Sequence, residues 1–140
     1  MVKNNKNNDY INCVYEDIRF TKTQIWNTTY LTILAIIGVV TGLHFIKQPE
    51  NPLFGIYVYI FISLIILIGI LGIAAVIFYN YTIERNRNTL ERNRDILPKP
   101  DEYAVRKEPG FSRVFFAYLH PIVITIAIIV GVGVCVYLLF

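Results

Sequence analysis

The feature that most constrains this chain is the placement of its charges, because three long stretches carry none. No Asp, Glu, Lys or Arg occurs between Lys22 and Lys47, between Glu50 and Glu84, or from Val114 to Phe140. Each stretch runs to roughly 24 residues or more, beyond the ~20 that a helix needs to cross a ~30 Å hydrocarbon layer. Composition agrees: 55% of the 140 residues are hydrophobic and 16% are charged, against about 25% charged in a soluble domain. The expected fold class is an all-α membrane protein with three transmembrane helices. A compact soluble enzyme, a secreted disulfide scaffold and a disordered chain are excluded.

Orientation follows from the basic residues. Lys3, Lys6, Arg19 and Lys22 precede the first span; Arg85, Arg87, Arg92, Arg94, Lys99, Arg106, Lys107 and Arg113 separate the second from the third. Lys47 alone lies between spans one and two. Lys and Arg accumulate on the cytoplasmic side. The N-terminus and the long second loop are therefore expected inside, and the first loop and the C-terminus outside. Residues 1–9 contain no apolar segment of the kind a cleavable signal peptide needs. Cys13 and Cys135 fall on opposite sides in this topology, so no disulfide is expected between them. The sequons Asn27-Thr28-Thr29 and Asn80-Tyr81-Thr82 both lie at the cytoplasmic face, out of reach of glycosylation.

Residues 1–8 are rich in Asn and Lys and are expected to form a disordered tail. From there Ile11, Val14, Tyr15, Ile18, Ile25 and Trp26 recur at helical spacing. They predict a cytoplasmic amphipathic helix over 9–25 that runs unbroken into the first span, 26–46. Pro49 and Pro52 mark an external turn at 47–51, and Pro52 suits the first turn of the second span, 52–79. No breaker follows before Leu97, so a charged cytoplasmic helix over 80–97 continues this span. Within it Glu84-Arg-Asn-Arg-Asn-Thr-Leu90 is repeated as Glu91-Arg-Asn-Arg-Asp-Ile-Leu97. The seven-residue period places Ile83, Leu90 and Leu97 on one stripe, with Asn80, Arg87 and Arg94 at the other seam position. Such a half-polar seam fits packing against the N-terminal helix, whose Asp9, Glu16 and Asp17 could meet the arginines. The first and second helices are thus expected to extend into a cytoplasmic stalk roughly 20–25 Å long. Pro98 and Pro100 stop the helix, 98–112 form a cytoplasmic return loop, and the third span covers 113–140. His120-Pro121 lies about two turns inside it, where a kink is expected.

Candidate chemistry is sparse. No phosphate loop, metal-ligand spacing or nucleophile motif is present, and the carboxylates lie outside the spans, so no catalytic residue, metal site or cofactor is expected. His120 is the one ionisable side chain well inside a span, which makes His120 and Pro121 candidates for gating. Alternatively, the histidine bonds a carbonyl freed by the proline. Gly38 and Gly42 form a GxxxG pair, Ala127, Gly131 and Cys135 a small-residue stripe, and Gly69 and Gly72 thin one side of span two. All are candidates for close helix packing, within the subunit or between copies. A water-accessible line through Thr32, Thr41, Ser63 or Thr125 would favour a pore over an anchor. The absence of an Asp, Glu or Lys at mid-depth argues against an ion-coupled carrier. Arg85, Arg87, Arg92 and Arg94 fall within ten residues, and their guanidinium forks suit an anionic lipid, a partner protein or an anionic nucleotide. The plainer reading is a solvated helix with Glu84, Glu91 and Asp95 as local partners. Interleaved acids and the lack of stacking aromatics make nucleic acid an unexpected partner.

Tyr15-Glu-Asp-Ile-Arg-Phe20, then Gln24-Ile-Trp-Asn-Thr-Thr-Tyr30 leading into the first span, resembles in layout the small multi-pass membrane effector proteins of bacterial anti-phage defence operons. In those, an amphipathic helix feeds the first span and a charged helix follows the second. The resemblance implies an effector of the bacterial inner membrane, switched on by a cytoplasmic sensor protein; it transfers no functional residue. The expected function is an oligomeric, signal-gated membrane effector or pore triggered through its cytoplasmic helices. The alternative is a non-catalytic anchor or assembly subunit of a larger membrane complex. Expected partners are the lipid bilayer, further copies of the chain and a cytoplasmic protein.

Overall fold

The computed structural model describes residues 2–46, 53–92 and 110–138. They form three helices, α1 (Val2–Ile46), α2 (Phe54–Arg92) and α3 (Gly110–Tyr137). At 1.5 Å per residue these measure about 67, 58 and 42 Å. All three are long and apolar enough to cross a membrane. Their outward faces carry large apolar side chains, including Leu31, Ile37, Ile60, Leu67, Ile70 and Ile129. Such surfaces suit contact with lipid and would be aggregation-prone in water. The chain is therefore all-helical and compatible with a multi-pass integral membrane protein.

The bundle is set by a seven-residue repeat of buried positions. In α1 these include Ile11, Ile18, Ile25 and Thr32, with Val14 and Thr21 between. In α2 they are Val58, Ile65 and Gly72, overlapping with Gly69, Val76, Ile83 and Leu90. In α3, Ile124 and Gly131 follow the same interval. A period of 3.5 keeps one seam turned toward a partner along the whole helix, as in left-handed coiled coils. Cross-helix neighbours define the register. Thr32 of α1 lies against Gly72 of α2, and Gly42 against Phe61, so these two helices run antiparallel. In α3, Ile128 lies against Gly69 and Gly131 against Ile36 and Ile65, which makes it antiparallel to α2 and parallel to α1.

Glycine permits the tightest of these approaches. A Cβ on Gly72 would sit 2.5 Å from Oγ1, 2.7 Å from Cγ2 and 3.1 Å from Cβ of Thr32. A Cβ on Gly69 would overlap Ile128, and one on Gly131 would come to 3.0 Å from Ile36. Apolar contacts divide into two clusters. One joins Ile36, Leu43, Val58, Ile65 and Cys135; the other, toward the charged end of the α1–α2 hairpin, joins Ile11, Val14, Ile18 and Ile25 to Val76, Ile83, Leu90 and Ile124.

Several boundaries differ from expectation. α1 begins at Val2, so residues 2–8 are helical rather than a disordered tail. Nothing in that segment breaks a helix, and extending an existing helix needs no new nucleus. α2 begins at Phe54, after Pro52, and α3 begins at Gly110, three residues before Arg113. The first turn of α3 thus takes the end of the expected return loop. The turn at 47–52, Arg94, Leu97 and the return loop up to 109 lie outside the described residues. α3 remains helical through Pro121.

Candidate functional site

Two places gather polar side chains: a layer between the helices, and a cleft in the hairpin. The layer originates in Pro121. A proline has no N–H, so the carbonyl four residues earlier, that of Ala117, loses its helical donor. Asn80 of α2 supplies one, its Nδ2 donating to the Ala117 oxygen at 3.1 Å. The expectation that His120 would bond the freed carbonyl is therefore corrected: the amide across the interface does so. His120 turns instead to α1, with Nδ1 3.0 Å from Thr29 Oγ1. That hydroxyl donates its single proton to the Ile25 carbonyl at 2.9 Å, so it accepts from His120, which carries its proton on Nδ1. The imidazole is buried and stands edge-on to Trp26, with ring centroids 4.7 Å apart. One polar group from each helix thus meets at one level, and each bond joins α3 to a different neighbour.

The other span hydroxyls stay on their own helices. Thr32, Thr41, Ser63 and Thr125 donate to the carbonyls of Thr28, Ile37, Tyr59 and Pro121 at 2.7, 2.8, 2.9 and 2.8 Å. Thr32 is buried against Gly72, while Thr41, Ser63 and Thr125 point outward. No shared polar line runs through the middle of the subunit, whose axis is filled by Ile36, Ile65 and Ile124.

The small residues separate into two groups. Gly131 is buried and Ala127 half-buried in the three-helix interface. Gly42 is half-buried, with Phe61 near its Cβ position at 3.5 Å, whereas Gly38 faces outward with open space. Gly38 therefore plays no part in packing within the subunit. Cys13 is exposed, Cys135 is buried, and both are free thiols.

Among the arginines, Arg85 and Arg92 are exposed and Arg87 is half-buried, while Arg94 lies outside the described residues. Asp9, Glu16 and Asp17 are likewise exposed. A cleft of about 380 Å³ opens between α1 and α2 here, with Tyr10 and Asp17 on one wall and Phe78, Tyr81, Arg85 and Asn86 on the other. Burial raises the pKa of the nearby Tyr15 hydroxyl above its usual value. Among the described residues, no three His, Cys, Asp or Glu side chains come close enough to hold a metal.

No protein-family model, curated protein or solved structure matches the chain. The functional reading rests on the residues themselves.

Asn80 and Thr29 carry the polar layer, and neither stands out in sequence as a functional residue. The signal for Asn80 is present nonetheless: an uncharged amide at a seam position, in a chain where Pro121 leaves one carbonyl without a donor.

Proposed function

We propose that this chain is a non-catalytic membrane effector. Its α1–α2 hairpin forms a cytoplasmic stalk that receives a protein partner or anionic ligand, and its spans answer by rearranging. The observation that supports this most is the continuity of the hairpin. α1 and α2 each run as a single helix from the charged end through the apolar stretch. A force applied near Ile11 or Leu90 acts on the same helices that pack at Leu43 and Val58. The polar layer of Thr29, His120, Asn80 and the Ala117 carbonyl lies at the join, where α3 would shift against the hairpin.

The filled axis leaves no lumen inside one subunit, so a permeation path would run between copies. The outward faces of Gly38, Thr41, Ser63 and Thr125 are available for that contact. The anchor reading has one observation in its favour: each of these three hydroxyls is bonded to its own helix, and a dry interface needs nothing more. Flux separates the two. Purified protein in liposomes, with whatever co-purifies from the cell added from the hairpin side, should pass ions or dye once the partner is present. If sealed liposomes stay tight with every co-purifying component added, the anchor reading stands and the effector reading falls.

A further inference from the structure

The cleft between α1 and α2 combines features that the proposed function does not use. Its two charged residues have opposite signs, Asp17 on α1 and Arg85 on α2. Both are exposed, and no ion pair joins them among the described residues. Tyr10, Tyr81 and Phe78 also line it, Phe78 being the one nearest the apolar stretch. Phe78 and Tyr81 are themselves strongly exposed, at 65% and 68%.

Depth decides what such a cleft would meet. The apolar stretch of α2 ends near Phe78, and Arg85 lies seven residues further along, about 10 Å at 1.5 Å per residue. The headgroup zone adds roughly 5–7 Å to each side of the hydrocarbon layer, and an arginine side chain can extend back along its helix toward that zone. The cleft therefore runs from the edge of the hydrocarbon through the level of the lipid phosphates.

We propose that this cleft binds the headgroup of a zwitterionic phospholipid, with the phosphate on Arg85 and the ammonium on Asp17. The acyl chains leave along Phe78, the lining residue nearest the apolar stretch. An anionic lipid without an ammonium would satisfy Arg85 but leave the Asp17 carboxylate near a phosphate with no cation between them. The pair of charges thus selects a headgroup that carries both signs. Seated there, the lipid bridges α1 and α2 at the base of the stalk, so its presence stiffens the hairpin through which the proposed input travels. The inference rests on the reading that this end of the bundle meets the inner leaflet.

Native mass spectrometry of the full chain tests it, after equilibration in detergent with equal amounts of phosphatidylethanolamine and phosphatidylglycerol of matched chains. One phosphatidylethanolamine should be retained per subunit in preference to phosphatidylglycerol. Arg85→Gln should lower retention of both lipids about tenfold, as expected for loss of a charge-assisted bond. Asp17→Asn should abolish the preference, and Arg92→Gln, on an exposed residue outside the cleft, should change neither. Equal retention of the two lipids by the parent chain would overturn the proposal, as would retention indifferent to Arg85→Gln. Displacement of the lipid by equimolar free O-phosphoethanolamine would also overturn it, by showing a site for a soluble ligand. Because retention is read without conduction, tight liposomes in the flux experiment leave this result standing. Release of the protein from membranes by alkaline carbonate would remove the membrane reading beneath both.

Discussion

Replacing Gly72 with alanine tests the helix packing most sharply. A Cβ there would stand 2.5 Å from Thr32 Oγ1, 2.7 Å from Cγ2 and 3.1 Å from Cβ, where unstrained carbon contacts fall at about 3.5–4.0 Å. Rotating Thr32 relieves the first two contacts but not the third. The rotation also breaks the 2.7 Å bond from its hydroxyl to the Thr28 carbonyl. The helices must separate instead, and overpacking of this kind costs about 1–3 kcal/mol. Alanine also gains about 1 kcal/mol of helix propensity over glycine, so the proper reference is Gly38→Ala, which has the same gain and meets nothing within 4 Å. The difference in unfolding free energy between the two variants should be about 1–3 kcal/mol. SDS titration from mixed micelles would measure it, followed by the fluorescence of the single tryptophan, Trp26, which packs on His120. Adding Thr32→Ala to Gly72→Ala removes both of the closer atoms and should restore most of the loss. Equal stability of the two glycine variants, or no rescue by Thr32→Ala, would refute the α1–α2 register.

Asn80→Leu should cost up to about 1.7 kcal/mol, the upper range for interhelical bonds in membranes. Pro121→Ala, which returns an N–H to the Ala117 carbonyl, should make the same substitution cheaper in a thermodynamic cycle. Thr29→Val removes the acceptor of the His120 N–H and should lower stability by about 1–3 kcal/mol. A ring that simply finds another acceptor would show as no loss in the same SDS titration. Gly38→Leu, which meets nothing within 4 Å at its Cβ and gains helix propensity, should not lower subunit stability while altering the oligomer seen by native mass measurement, whereas Gly131→Leu should destabilise the subunit itself. Replacing Arg87 and Arg94 with Glu should release a cytoplasmic partner from co-purification while the protein stays in the membrane; undiminished co-purification would exclude docking on that helix.

Much of this architecture is legible in the sequence because charge-free stretches and helical length are one-dimensional properties. The three spans follow from them directly, as does the stripe of Ile83 and Leu90 from the arginine repeat. Packing partners are harder to read. The Gly38–Gly42 pair is the conspicuous motif, yet Gly69 and Gly72 make the closest approaches. The seven-residue frame would have separated them: Gly72 lies seven beyond Ile65 and Gly69 seven before Val76, while Gly38 falls on neither of α1's two lines in this stretch, Ile25–Thr32 and Thr29–Ile36–Leu43. Spacing says which residues are small; frame says which way they face. The polar layer was hidden for another reason. Its bonds join Asn80 to Ala117 and Thr29 to His120, and such pairs become neighbours only once the register of three helices is known. Residues 2–8 misled because their composition is that of a solvated tail, although no residue among them stops a helix that begins further on.

The central claim is that the charged hairpin end lies in the cytoplasm, where a partner can grip helices that continue through the membrane. Cys13 is a natural reporter, being exposed on α1 beside the cleft, while Cys135 is buried and serves as the internal control. Labelling with a membrane-impermeant maleimide should modify Cys13 in inside-out vesicles and not in intact cells, with Cys135 reacting only after denaturation. Modification of Cys13 from the outside of intact cells would contradict the topology and, with it, the proposed route from hairpin to spans.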